Sequence, residues 1–236
     1  MVRILKRLQD AAMPPADGRP RGLTWDYDRA EVIVDGVVHA LGLAAAVVGT
    51  VVLVVLALRS SHAFTLASVL IYAGSLLAAL ALSAAYNMWP VSRVKWWLRR
   101  FDHAAIYLLI GGTYTPFLAL SDGGVTTGVL LTVIWSTIMV GIVLKLALPG
   151  RFDRLAVALY LLLGWSISFA YGPVTAAIPT IALVLLLIGG LLYSAGVLFH
   201  AWRSLRFQNA IWHAFVLAGA SCHYAAVIDF LPPLAG

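Results

Sequence analysis

FTLASVLIYAGSLLAALALSAAYNM, residues 64–88, contains no Asp, Glu, Lys or Arg and is long enough to cross a bilayer as one helix. Its apolar residues occupy every face of a helix, which rules out a half-wet amphipathic element and demands an apolar solvent. Working outward, six further mainly apolar runs appear at about 34–58, 102–120, 125–148, 153–171, 177–199 and 209–230. Of the 236 residues, 62% are hydrophobic and 11% charged. Such a chain cannot be a soluble enzyme, a disordered protein or a coiled coil, because too much apolar surface would face water. The reading is an all-α membrane protein, a bundle of seven transmembrane helices, with residues 1–30 as a basic cytoplasmic tail and 31–236 as the membrane domain.

Orientation follows from the basic residues. Fifteen of the 16 Lys and Arg residues fall in the tail, in the loop Val91–Arg100, around Lys145, Arg151 and Arg154, and at Arg203 and Arg206. The opposite side has only Arg59. The excess of positive charge places the N-terminus in the cytoplasm and the C-terminus outside. A net charge of +6 arranged in this way is a topology signal and predicts no nucleic-acid partner. Trp89, Trp96, Trp97 and Trp202 fall at cytoplasmic span ends, where indole rings anchor at the headgroups. The single cysteine, Cys222, excludes an internal disulfide and reads as a small packing residue. His62 and His200 sit at span ends and read as solvated. There is no Walker motif, dinucleotide fingerprint or GxSxG elbow.

Polar residues inside a span are costly unless they face a protein interior, so each is a functional candidate. Glu31, Asp35 and His39 recur every four residues at the start of the first span and share a helical face. Ser83 and Asn87 repeat that spacing at the end of the second, and Asn209 and His213 at the start of the seventh. Asp102 and His103 open the third span, and His223 lies deeper in the seventh. With the orientation above, Ser83, Asn87, Asp102, His103, Asn209 and His213 reach one depth, toward the cytoplasm. Any one of them could simply join two helices by a hydrogen bond. Six at one level read as a site. Pro116, in Gly112-Thr113-Tyr114-Thr115-Pro116-Phe117, predicts a kink with close helix approach.

Together, Ser83-x-x-x-Asn87, Asp102-His103-Ala104-Ala105-Ile106-Tyr107, the segment ending in Pro116-Phe117, and Asn209-Ala210-Ile211-Trp212-His213 with His223-Tyr224 resemble the hemolysin III family. That family is the bacterial branch of the progestin and adiponectin receptor group and is related to alkaline ceramidases. The resemblance runs from Glu31 to about Val227, including Pro149-Gly150-Arg151-Phe152. It implies a seven-helix bundle in a bacterial inner membrane, with membrane lipids as ligands or partners and a zinc ion near the cytoplasmic face.

In the family's hydrolytic relatives three histidines hold that zinc, assisted by a serine and an aspartate. By position the serine is Ser83 and the aspartate Asp102, which makes them the catalytic candidates, while the ligand positions are Asn87, Asn209 and His213. Two expected histidines are therefore asparagines, whose amide oxygens are poor zinc donors. The expectation is a degenerate centre in which zinc is weak or lost. His39, His103 or His223 are the imidazoles that could substitute. Three functions follow in order. The first is a membrane-homeostasis, sensing or lipid-binding protein with a polar cytoplasmic-side pocket. The second is a metal-dependent lipid amide or ester hydrolase, and the third a channel or pore.

Overall fold

The structure is a computed structural model that describes residues 27–60, 62, 64–121, 124–148, 153–166 and 175–232. The basic tail through Arg21, the Pro149–Phe152 run and the end of the fifth expected span lie outside the described residues. The described residues form seven helices: α1 Arg29–Leu58, α2 Thr65–Met88, α3 Arg93–Ala119, α4 Gly124–Ala147, α5 Asp153–Trp165, α6 Thr180–Ala201 and α7 Gln208–Phe230. Five of them (α1, α2, α4, α6 and α7) are long and apolar enough to cross a membrane.

The side chains are arranged for lipid. On α1 the buried stripe is Asp35, His39, Gly42, Ala46, Gly49, Leu53 and Ala57, while Val37, Leu41, Val48, Val51 and Val55 face outward and are exposed. A water-soluble helix would turn its carboxylate and imidazole out and its valines in. The reverse is stable only when the outer medium is hydrocarbon and the inner face is protein. The chain is an integral membrane protein.

One expectation is corrected. The basic stretch Val91–Arg100 is not a loop, because α3 begins at Arg93, nine residues before its apolar part. Ser92 caps the helix by accepting the Lys95 backbone N–H at 3.3 Å, and Lys, Arg and Trp all tolerate helix geometry. Charge marks which residues stay out of lipid, and a helix can carry them there. Trp96, expected at the interface, is 3% exposed and receives Arg99 and Arg100 on its ring, whereas Trp89, Trp97 and Trp202 are exposed. His200 also departs from the solvated reading, since its ring packs on Trp212 with centroids 5.0 Å apart.

Packing runs α1 to α2, α2 to α3, α3 to α5, α5 to α6, α6 to α7 and α7 back to α1, a closed ring, with α4 docked on α3. Aromatic hydroxyl and indole groups tie the ring to backbone and side-chain oxygens. Tyr224 donates to the Gly49 carbonyl at 2.9 Å, Tyr160 to that of His103 at 2.8 Å, and Trp165 to the Ser194 hydroxyl at 3.0 Å. α3 passes through Pro116, and the Thr115 hydroxyl bonds back to the Gly111 carbonyl at 2.7 Å. Beside it Gly112 lets α2 approach so closely that a Cβ there would lie 1.8 Å from Ser75 Oγ. Inside the ring is a cavity of about 350 Å³, lined from α1, α2, α3, α5, α6 and α7 and from no residue of α4.

Candidate functional site

At one end of this cavity four helices present polar side chains to one another. Ser83 and Asn87 close the last turns of α2, Asp102 lies in α3, and Asn209 and His213 open α7. From the first turns of α1 come Asp35 and His39, respectively 3% and 6% exposed. His213, 8% exposed, is the hub. Its Nδ1 meets Asp35 Oδ1 at 2.6 Å, and its Nε2 lies 3.4 Å from Ser83 Oγ and 3.5 Å from Asn87 Nδ2. Asp102 hydrogen-bonds Ser83.

The two asparagines are bonded to their neighbours. Asn209 Nδ2 donates to Asn87 Oδ1 at 2.8 Å and to Asp35 Oδ2 at 3.0 Å, and Asn87 Nδ2 donates to the Ser83 carbonyl at 2.9 Å. This pattern orients the two amides. A carboxylate only accepts, so the nitrogen of Asn209 faces Asp35 and the oxygen of Asn87 must accept from Asn209. The Asn87 nitrogen then faces His213 Nε2 at 3.5 Å, and the tautomer that matches both ring contacts has its lone pair on Nε2 and its proton on Nδ1, toward Asp35.

His39 Nε2 is buried without a hydrogen-bond partner among the described residues, 3.7 Å from Asp35 Oδ2. The His39 and His213 rings are 4.3 Å apart between centroids. Donor atoms of Asp35, His39 and His213 all lie within 4.8 Å of one another. Two imidazoles and a carboxylate are a donor set that divalent metals accept, so this trio is a metal-binding candidate.

The remaining predicted residues are elsewhere. Glu31 works at the start of α1, where its side chain accepts the Asp28 backbone N–H at 2.9 Å and the Phe207 N–H at 2.8 Å. The Asp28 side chain accepts the Glu31 N–H in return, which completes a capping box. His103 lines the same cavity as Ser83 and Asp102. His223 is deeper, with Nε2 3.3 Å from the Leu186 carbonyl and its ring edge-on to Tyr193. Sequence reasoning missed Lys95, whose ammonium group donates to the carbonyls of Asn87 and Trp89 at 3.0 and 2.9 Å and so holds the end of α2. Burial pushes this ammonium down to about 8. A lysine a few residues beyond an uncapped helix end was the available signal.

A family model described as haemolysin-III related matches residues 29–224. The chain belongs to the haemolysin III family. A hemolysin-3 homolog of Bacillus subtilis is 34% identical over 200 residues, covering 85% of this chain and 94% of that protein. Hemolysin-3 of Bacillus cereus is 32% identical, covering 87% and 94%. The human monocyte to macrophage differentiation factor is 28% identical over 225 residues, covering 92% and 89%. No solved structure gives a significant match. Within a haemolysin III framework, the donor trio is not the one expected by position. His213 is common to both, while Asp35 and His39 come from α1, and the amides of Asn87 and Asn209 are engaged with each other.

Proposed function

We propose that this chain is a seven-span inner-membrane protein, N-terminus in the cytoplasm and C-terminus outside, with residues 1–30 as a basic tail and 31–236 as the haemolysin III-like domain. Its ring cavity binds a single-chain lipid in a sensing or membrane-homeostasis role. The observation that carries this reading is the cavity itself. Ser83, Asp102 and His213 stand at one end, and Leu109, Phe117, Leu183 and Leu186 are among its apolar walls. Polar groups gathered at one end of a largely apolar chamber, with Ser194 and His223 among the polar groups elsewhere on its wall, match an amphiphile.

The family's zinc centre is degenerate in this reading. Zinc, when bound, would be held by Asp35, His39 and His213 and would supply a Lewis acid and an acidified water. The orphaned Nε2 of His39 fits that role, but His213 Nδ1 and Asp35 Oδ1 are already joined at 2.6 Å and must part to bind the metal. Retention of zinc is correspondingly weak. The same trio favours a second reading, a metal-dependent lipid hydrolase, which full zinc occupancy would promote over the first.

Lipid retention tests the first reading. Native mass spectrometry of protein released from detergent is expected to show bound single-chain lipid. Ala79→Phe, which projects a ring into the cavity, is expected to remove it without loss of folded protein. Lipid-free wild type, or equal retention by the variant, would sink the reading.

A further inference from the structure

We propose that Ser83, His213 and Asp35 form a nucleophile–base–carboxylate relay that hydrolyses carboxylic esters of single-chain amphiphiles without a metal. The inference rests on the lipid reading of the cavity, since the acyl chain must lie along its apolar walls.

Three observations assemble the relay. Ser83 Oγ faces His213 Nε2 at 3.4 Å, a loose contact of the kind that tightens when substrate binds. His213 Nδ1 is joined to Asp35 Oδ1 at 2.6 Å, and Asp35 is buried behind the ring, away from the cavity that Ser83 and His213 line. The tautomer that a serine nucleophile needs, with the proton on Nδ1 and the lone pair on Nε2, matches the 2.6 Å contact to Asp35 and the Asn87 amide nitrogen facing Nε2 at 3.5 Å. Asn87, which weakens the metal position, thus also faces the base.

The chemistry closes on itself. Ser83 Oγ bonds to the acyl carbon as its proton passes to His213 Nε2, and the imidazolium is stabilised by the Asp35 carboxylate. Asn87 Nδ2, 3.4 Å from Ser83 Oγ, is the side-chain donor offered to the developing oxyanion. The ester C–O bond breaks, and the leaving alkoxide takes the proton from Nε2. Water then attacks the acyl-serine, gives its proton to the same nitrogen, and releases a carboxylic acid as Ser83 regains its hydrogen. The reaction consumes one ester and one water and yields one acid and one alcohol. Ser83 has a second proton acceptor in Asp102. Only the imidazole has a buried carboxylate behind it to hold the positive charge.

The full chain in nanodiscs, dialysed against EDTA, is treated with a fluorophosphonate and mapped by peptide mass spectrometry. It is also assayed on p-nitrophenyl decanoate. The expected result is one phosphonate, on Ser83, that is absent in Ser83→Ala. Asp35 is a positioning residue, so Asp35→Asn should lower kcat by about 10⁴-fold with KM little changed, a split that a folding defect would not produce. Thermal melting checks that each variant is folded. An unlabelled Ser83 in folded protein overturns the relay, as does turnover that EDTA abolishes and zinc restores. Full activity in Asp35→Asn with loss in Asp102→Asn assigns the base to Asp102 and also overturns it. Bound lipid without phosphonate removes the nucleophile and leaves the lipid site standing. Phosphonate without bound lipid supports the relay and counts against lipid retention.

Discussion

Asn87 and Asn209 decide more of this site than their neutral side chains suggest. Each occupies a position where the family resemblance implies a zinc-binding histidine, and each is tied to the other at 2.8 Å. Purified protein is expected to carry clearly less than one zinc per chain by elemental analysis. Asn87→His with Asn209→His should raise this toward one, because both imidazoles then join His213 from turns already facing it. Stoichiometric zinc in the unchanged protein would refute the degenerate centre. Lys95→Met should remove two charge-assisted bonds to the end of α2, worth about 1.5–3 kcal/mol each before relaxation, and lower the melting temperature. The polar residues of this site were legible because lipid makes each one expensive. The link between Asp35 and His213 was not, since 178 residues separate them and the helical neighbours of Asp35 in sequence are Glu31 and His39.

Helix ends and crossings carry their own consequences. The Asp28 carboxyl is held below the usual carboxylate value by the Glu31 backbone N–H and then by Arg206. A depressed value means that the cap stabilises α1 fully above the unfolded value and is lost as pH falls through the folded one. The melting difference between wild type and Asp28→Ala should be full above about pH 5 and shrink as pH falls through the depressed folded value of the Asp28 carboxyl. A difference independent of pH would show that charge has no part in the cap. At the α2–α3 crossing, Gly112→Ala drives a methyl into Ser75 and should cost about 1–3 kcal/mol of stability. Adding Ser75→Gly should return much of it in a thermal double-mutant cycle. The cap has a local spacing, Asp28-x-x-Glu31, which the reading of Glu31 as a pocket residue passed over. The crossing was visible only as a small residue near Pro116, because which neighbour fills the gap depends on another helix.

For the molecule as a whole, fifteen basic residues against one set the expected orientation. A reporter fused after Gly236 should signal an external C-terminus, and one in place of the tail a cytoplasmic N-terminus. A cytoplasmic signal at Gly236 would overturn the seven-span arrangement. The sequence by itself determined that this chain is helical and lives in lipid, because the hydropathy of each run is a local property that no partner can change. It also singled out His213, Ser83 and Asp102, since burial in a bilayer penalises polar atoms wherever they end up. Only the tertiary structure decided that six helices close a ring around a cavity and that α4 stands outside it. Only it paired Asp35 with His213, because bond direction and reach are set when α1 packs against α7, and no spacing along the chain encodes that approach.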